Sequence, residues 1–163
     1  MPRLEKELLY QQLDNFEIQR HDFLNDFQVI KGYLQLDMPE KAISFIEDAI
    51  NELRPQQEIY KIGHKTVLAI LLSWFFELRL KGVRTEITIS PEMKTVEFWE
   101  ENWREEYELQ FNGYTKECSA LIPVEYDPEQ LTARIVLSTE SRDITCDFTL
   151  YYRKKAQVAR QFS

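Results

Sequence analysis

The sequence has few glycines, few cysteines and no long apolar run. Only four of its 163 residues are glycine, and no two have the spacing of a P-loop or a Gly-x-Gly-x-x-Gly loop. The longest apolar run, residues 67–76, is about half of the roughly 20 residues that a membrane-spanning helix needs. The N-terminus lacks an apolar stretch of signal-peptide length. These absences exclude a glycine-loop nucleotide site and predict a soluble protein without membrane contact.

The two cysteines, Cys118 and Cys146, are too few for a disulfide framework or a cysteine-rich zinc site. They predict a reducing, cytoplasmic location and no metal site. The 20 basic and 28 acidic residues give a net charge of −8, which argues against a broad electrostatic interaction with nucleic acid. We therefore expect a partner that is basic or that brings a metal ion.

The apolar residues of the first 40 positions recur at alternating intervals of four and three, interrupted once by Arg20. This heptad spacing predicts one long amphipathic helix over about residues 4–36. A second amphipathic helix follows Pro39 and is predicted to end near Pro55. The apolar stripe of the first helix consists of Leu9, Leu13, Phe16, Phe23, Phe27, Ile30 and Leu34.

Two helices joined by so short a connection should pack as an antiparallel hairpin. Because such a hairpin buries little apolar surface, we expect two copies to form a homodimeric four-helix bundle. The alternative is that the stripe packs against the rest of the same chain. The predicted domains are the hairpin, residues 1–55, and a small α/β domain, residues 56–163, so that the fold class is α+β.

In the second half, residues 67–80 are predicted to form a buried helix capped by Gly82, and residues 83–90 a strand. Residues 131–137 and 144–152 predict a β-hairpin. The C-terminal basic residues, from Arg153 to Arg160, are expected to form a solvated tail.

An aromatic stripe with steps of three or four residues runs from Val96 to Leu121 and favours a helix. Residues 107–111 also alternate as a strand would, which leaves that alternative open. We interpret Trp99, Trp103 and Tyr107 as core residues rather than a cofactor site. The acidic residues between 100 and 108 are expected to form a solvated face.

His21 is one of two histidines and falls in the middle of the first predicted helix. Helical spacing places Glu17, His21, Asn25 and Gln28 on one polar strip beside the apolar stripe, so His21 should be exposed. A neutral imidazole is a competent nucleophile when one ring nitrogen is held protonated by an acceptor. Glu17 and Asp22 are available acceptors, although their charge also favours the non-nucleophilic imidazolium. The other histidine, His64, is expected to belong to a helix cap.

The string Arg20-His21-Asp22-Phe23-Leu24-Asn25, continued by residues 28–36, resembles the phosphoacceptor box of the stage zero sporulation protein B phosphotransferase family. It is also similar to the related sensor histidine kinases that regulate citrate uptake and autolysis. The resemblance implies a dimeric four-helix bundle followed by a degenerate histidine-kinase ATPase fold. It further implies a phosphorelay of the kind that initiates sporulation.

By this resemblance His21 accepts a phosphoryl group from the aspartyl phosphate of one response regulator and passes it to a second regulator. Asp22 would orient the ring or take its proton, and Asn25 matches the family's asparagine. Arg20 would soften the charge of the phosphoryl group. The remaining residues that we expect to contact the partner are Glu17, Leu24 and Gln28.

We expect no cofactor on this chain, because the receiver domain of the regulator would supply Mg²⁺. Glu101-Asn102 faintly resembles a kinase nucleotide box, but no Asp-x-Gly-x-Gly box follows, so ATP-driven autophosphorylation is not expected. Asp26, one turn from Asp22, departs from the family pattern and places two like charges on one face. A regulator phosphatase that uses Asp22 and Asn25, or a non-catalytic dimer that binds regulators, are the alternative functions.

Overall fold

The computed structural model describes residues 3–123 and 125–163. Helix α1 spans Arg3–Gln35 and helix α2 spans Pro39–Ile59. Pro39 lies in the first turn of α2, where its missing N–H leaves no helical hydrogen bond unmade. The helical hairpin that the sequence predicts is therefore confirmed.

Helix α2 does not end at Pro55, and this part of the prediction is wrong. Pro55 has no N–H to donate to the carbonyl group of Asn51, yet the helix continues for another turn to Ile59. Ile59 is only 1% exposed, so burial of this last turn outweighs the local cost of the proline. The predicted boundary between residues 55 and 56 thus falls within a helix.

The rest of the chain combines helices with a sheet, which confirms the α+β fold class. Short 3-10 turns precede α4 and β2, at Pro91–Lys94 and Pro128–Gln130. The helices are α3 (Lys65–Leu80), α4 (Val96–Asn102) and α5 (Glu106–Ala120), and the strands are β1 (Arg84–Ile89), β2 (Leu131–Glu140), β3 (Asp143–Tyr152) and β4 (Lys155–Phe162). The likeness of this segment to an ATPase fold stays a prediction.

The four strands lie in the order β1-β2-β3-β4, with β1 parallel to β2 and the other pairs antiparallel. The parallel pair requires a crossover, which α4 and α5 provide. Ile135 of β2 and Phe148 of β3 are register partners and are both buried. The ring of Trp74 in α3 lies 5.6 Å from that of Phe148, and 5.9 Å from Tyr114 in α5. Helices α3 and α5 therefore cover one face of the sheet.

Residues 107–111 are helical, which confirms the helix prediction over the strand alternative. The predicted single helix is nevertheless interrupted, because Trp103 has an extended backbone with φ −110° and ψ 137°. Trp99 is buried, and its indole N–H donates to the carbonyl oxygen of Met93 at 2.6 Å. Trp99 is thus the core residue that was predicted, and the helical spacing persists because α4 and α5 both turn their aromatic side toward the core.

The basic C-terminal segment forms the edge strand β4, so the prediction of a tail is wrong, although its basic side chains are exposed to solvent as expected. Arg153 and Lys154 make the turn into it with φ values of 51° and 69°. Phe162 anchors the strand, since its ring lies 5.2 Å from that of Phe111. Most other side chains of β4 are exposed, and this weakens the alternation by which a strand is predicted.

The apolar stripe of α1 lies on the surface of the single chain. Leu13, Phe16 and Phe27 are 60%, 69% and 65% exposed. Helix α1 also packs on α3, where the Gln12 amide donates to the carbonyl oxygen of Ala69 at 3.1 Å. The alternative that the stripe packs against the rest of the same chain is therefore wrong. Within the described residues, no helix combines the length and apolar character that a bilayer crossing requires.

Candidate functional site

His21 lies near the middle of α1, and 74% of its side chain is exposed. This exposure confirms the prediction made from helical spacing. The predicted site residues that share this exposure lie on both sides of it along the helix, so a partner protein can reach them together. They are Glu17, Arg20, Leu24, Asn25 and Gln28.

The two ring nitrogens of His21 have different surroundings. Nδ1 lies 3.5 Å from Nδ2 of Asn25 and 4.0 Å from Oδ1 of Asp22. In this placement the Asn25 amide N–H donates to Nδ1. Rotation of the amide by half a turn exchanges its nitrogen and oxygen, and the oxygen would then accept an Nδ1 proton and leave the lone pair on Nε2. Nε2 makes no hydrogen bond or ion pair within the described residues, so in that rotamer it is available as a nucleophile.

Asp22 is only partly exposed, and its side chain turns toward α3. Nε and Nη2 of Arg79 each lie 3.0 Å from Oδ2 of Asp22, and Nη2 lies 3.8 Å from Oε2 of Glu52. Arg79 therefore connects α1, α2 and α3 beside the predicted site. Arg79 could not be placed beside His21 from the sequence, because 57 positions separate it from Asp22. The available signal was an arginine in the last turn of the most apolar helix.

The negative charge of Asp22 acts on Asp26, as their spacing along the helix predicts. Its pKa is raised above the usual value, mainly by burial and secondly by the negative charge of Asp22. The positive charge of Arg79 lowers the same pKa and so offsets part of the effect. The guanidinium group of Arg79 thus acts on both carboxyl groups that follow His21 along α1.

A cleft of about 1110 Å³ opens beside the Asp22–Arg79 ion pair, between α1, α2, α3 and β1. Carboxylates outnumber guanidinium groups among its charged residues, so the cleft is acidic. Those residues are Asp22, Asp48, Glu52, Glu58, Glu86, Arg54, Arg79 and Arg84.

His64 caps helix α3, as predicted, with its Nδ1 accepting the Val67 N–H at 3.3 Å. Its Nε2 lies 3.8 Å from Oε1 of Glu108. Burial lowers the pKa of His64 and raises that of Glu108, which the charge of Glu105 raises further. Because the Glu108 side chain is only 13% exposed, its assignment to a solvated acidic face is wrong.

Three other residues considered in the sequence have side chains that are buried or that bond within their own helix. The Asn102 amide donates to the carbonyl oxygen of Phe98, one turn back in its own helix, at 2.9 Å. Cys118 and Cys146 are free and buried. Burial raises the pKa of Cys118 to about 11, so this thiol is not a reactive nucleophile at neutral pH.

Residues 2–62, which carry α1, α2 and His21, match the family model described as sensor kinase SpoOB-type, alpha-helical domain. This segment is similar to SpoOB-type alpha-helical domains, which occur in sensor histidine kinases and phosphotransferases.

The chain also has a likeness to a sensor protein. The chain is 31% identical over 87 residues to the sensor protein CitS of Halalkalibacterium halodurans. The match covers 50% of this chain but only 16% of that relative. The resemblance that the residues around His21 predicted is thus confirmed at the level of the family.

Proposed function

We propose that the chain is a phosphorelay phosphotransferase of the sporulation-initiation type. His21 accepts a phosphoryl group from the aspartyl phosphate of one response regulator and passes it to the aspartate of a second. The observation that carries the proposal is the setting of His21 on a SpoOB-type helix, with 74% of its side chain exposed and Nδ1 turned toward Asn25 and Asp22. A cytoplasmic location is part of the proposal, since both cysteines are free.

In the proposed step, Nε2 of His21 attacks the phosphorus atom of the aspartyl phosphate. The N–P bond forms while the P–O bond to the donor breaks, and the donor aspartate leaves as a carboxylate. The ring then carries a positive charge, and Oδ1 of Asp22 faces its Nδ1 proton. Reversal of the step onto a second aspartate restores neutral His21.

Both phosphorylated species are high in energy, so the transfer needs positioning more than an external driving force. The negative charge of the phosphoryl group would be balanced by Mg²⁺ on the receiver domain, which explains why an acidic chain can serve. This chain needs no cofactor of its own in the proposed reaction.

A second copy of the chain is the proposed partner of the apolar stripe. The exposed side chains of Leu13, Phe16 and Phe27 on α1 are continued on α2 by Ile43 and Ile50, which are 56% and 48% exposed. Pairing of two hairpins would bury both sets in a four-helix bundle. His21 follows the stripe position of Arg20 on a neighbouring face, so it would stay accessible to a receiver domain.

The test follows labelled phosphate from receiver domains encoded in the same genome, each phosphorylated on its aspartate with a small-molecule donor. The proposal predicts acid-labile, base-stable label on the protein that disappears in His21→Ala and remains in His64→Asn, the matched control at the other histidine. Free phosphate without labelled protein would indicate a phosphatase. If neither free phosphate nor labelled protein appears, the result would indicate a non-catalytic dimer that binds regulators. Labelling by ATP alone would contradict the account of the second half of the chain.

A further inference from the structure

The side chain of Arg79 fixes one of the two carboxylate oxygens of Asp22. Both Nε and Nη2 of Arg79 lie 3.0 Å from Oδ2, which leaves Oδ1 as the oxygen that faces Nδ1 of His21, 4.0 Å away. Asp22 and Arg79 are 29% and 31% exposed, whereas His21 is 74% exposed. The ion pair is therefore partly shielded from solvent, whereas the imidazole beside it is freely accessible.

Arg79 is itself held by the core of the second half of the chain. It lies in the last turn of α3, directly after Leu78, which is completely buried. Gly82 ends this helix with φ +78°, a conformation that favours glycine. The position of the guanidinium group is therefore set by a segment beyond residues 2–62, the part that matches the SpoOB-type domain.

Arg79 also changes the charge beside His21. Three carboxylates come from the elements around it, namely Asp22 and Asp26 on α1 and Glu52 on α2. Arg79 is within ion-pair distance of Asp22 and Glu52 and lowers the pKa of Asp26. Without its positive charge these carboxylates would repel an incoming aspartyl phosphate.

We propose that Arg79 is a positioning residue for His21: it holds Asp22 so that only Oδ1 faces Nδ1, and it balances the surrounding carboxylates. This inference rests on the proposed phosphotransfer and gives the second half of the chain a part in it. The second half of the chain thus supplies the side chain, Arg79, that orients Asp22 beside His21.

The test compares Arg79→Gln, Arg79→Lys and the control Arg84→Gln. Arg84 lines the same cleft but has no ion pair within the described residues, so both glutamine variants remove one charge from that cleft. We expect Arg79→Gln to slow transfer from a phosphorylated receiver about tenfold, as loss of a charged hydrogen bond would. Arg79→Lys should retain most of the rate and Arg84→Gln all of it.

A second comparison separates positioning from a general loss of structure. In an Asp22→Asn background Arg79→Gln should slow transfer much less than in the unaltered chain, because the carboxylate that it positions is gone and only the charges of Asp26 and Glu52 remain to be balanced. A general effect through α3 would persist at full size in that background and would overturn the proposal, as would an unchanged rate in Arg79→Gln.

Nitrogen NMR of the His21 ring gives a readout that does not depend on any receiver. Arg79→Gln should shift the ring nitrogen signals, and Arg84→Gln should leave them in place. If the unaltered chain accepts phosphate from no receiver, the phosphotransfer proposal fails. The spectra would still show whether Arg79 affects the His21 ring. Unchanged His21 signals in Arg79→Gln would overturn the positioning role even if transfer is observed.

Discussion

Asn25 stands one helical turn after His21, with its side-chain nitrogen 3.5 Å from the ring Nδ1. Turned by half a turn, this amide presents its oxygen to Nδ1, and accepting the Nδ1 proton favours the tautomer that leaves Nε2 free. A hydrogen bond at so exposed a position contributes about 1 kcal/mol.

We therefore predict that Asn25→Ala slows phosphoryl transfer to His21 about fivefold, a change equivalent to about 1 kcal/mol. The measurement is the rate of label uptake from a phosphorylated receiver. Gln35→Ala, at the exposed end of the same helix, should transfer at the unaltered rate. Equal rates for Asn25→Ala and Gln35→Ala would contradict a role for the Asn25 amide.

The dimer prediction rests on the exposed stripe and has a matched control. Leu13 lies on the stripe and is 60% exposed, whereas Leu109 on α5 is 67% exposed and lies outside the stripe. Leu13→Glu should convert the dimer to a monomer, because it places two charges in the interface of the bundle. Light scattering should show the mass of one chain for Leu13→Glu and of two chains for Leu109→Glu. A monomeric unaltered chain would refute the bundle.

His64 should make stability depend on pH. Since burial lowers its pKa, the unfolded chain takes up a proton before the folded chain does as the pH falls below about 6.5. The free energy of unfolding should therefore be full above that value and decrease as the pH falls toward the lowered pKa. Glu108 acts in the opposite sense, because its raised pKa removes stability as the pH rises through it.

The variant His64→Asn isolates this contribution. Asparagine can still accept the Val67 N–H as a helix cap, but it does not titrate. Denaturant unfolding from about pH 7.5 to pH 5.5, which brackets the ordinary histidine pKa, should show a shallower pH dependence for His64→Asn. Parallel curves for the two proteins would contradict the predicted linkage.

Pro55 predicts a stabilising substitution. In the interior of α2 it prevents one backbone hydrogen bond, so Pro55→Ala should raise the free energy of unfolding by about 1–3 kcal/mol. Pro39 begins the same helix, where no bond is lost, and Pro39→Ala should give no such gain. Denaturant unfolding of the two variants provides the comparison, and equal effects would show that Pro55 causes no strain.

Most of the fold could be predicted because its elements carry regular apolar spacing. The errors arose where packing between distant segments overrides the local sequence. Burial of Ile59 stabilises α2 beyond Pro55. The extended backbone of Trp103 interrupts a predicted helix, although the aromatic spacing continues through the break. Strand β4 was missed because its turn, Arg153-Lys154, has positive φ angles without glycine or asparagine.

The residues of the candidate site could likewise be predicted only in part. The residues within α1 could be placed from helical spacing alone, and this gave the exposure of His21 and its proximity to Asn25. Arg79 and Glu108 could not be placed, because each meets its partner across more than 40 residues. Contacts of that kind depend on how α3 and α5 dock, which periodicity within one helix does not show.

The most direct test of the central claim is to locate the phosphoryl group after transfer. The protein would be incubated with a phosphorylated receiver domain, quenched under alkaline conditions to preserve phosphohistidine, digested and analysed by mass spectrometry. The account predicts phosphate on the peptide that contains His21 and its loss in His21→Ala. Phosphate on another residue, or an unmodified His21 peptide while a receiver from the same genome loses its phosphate, would contradict it.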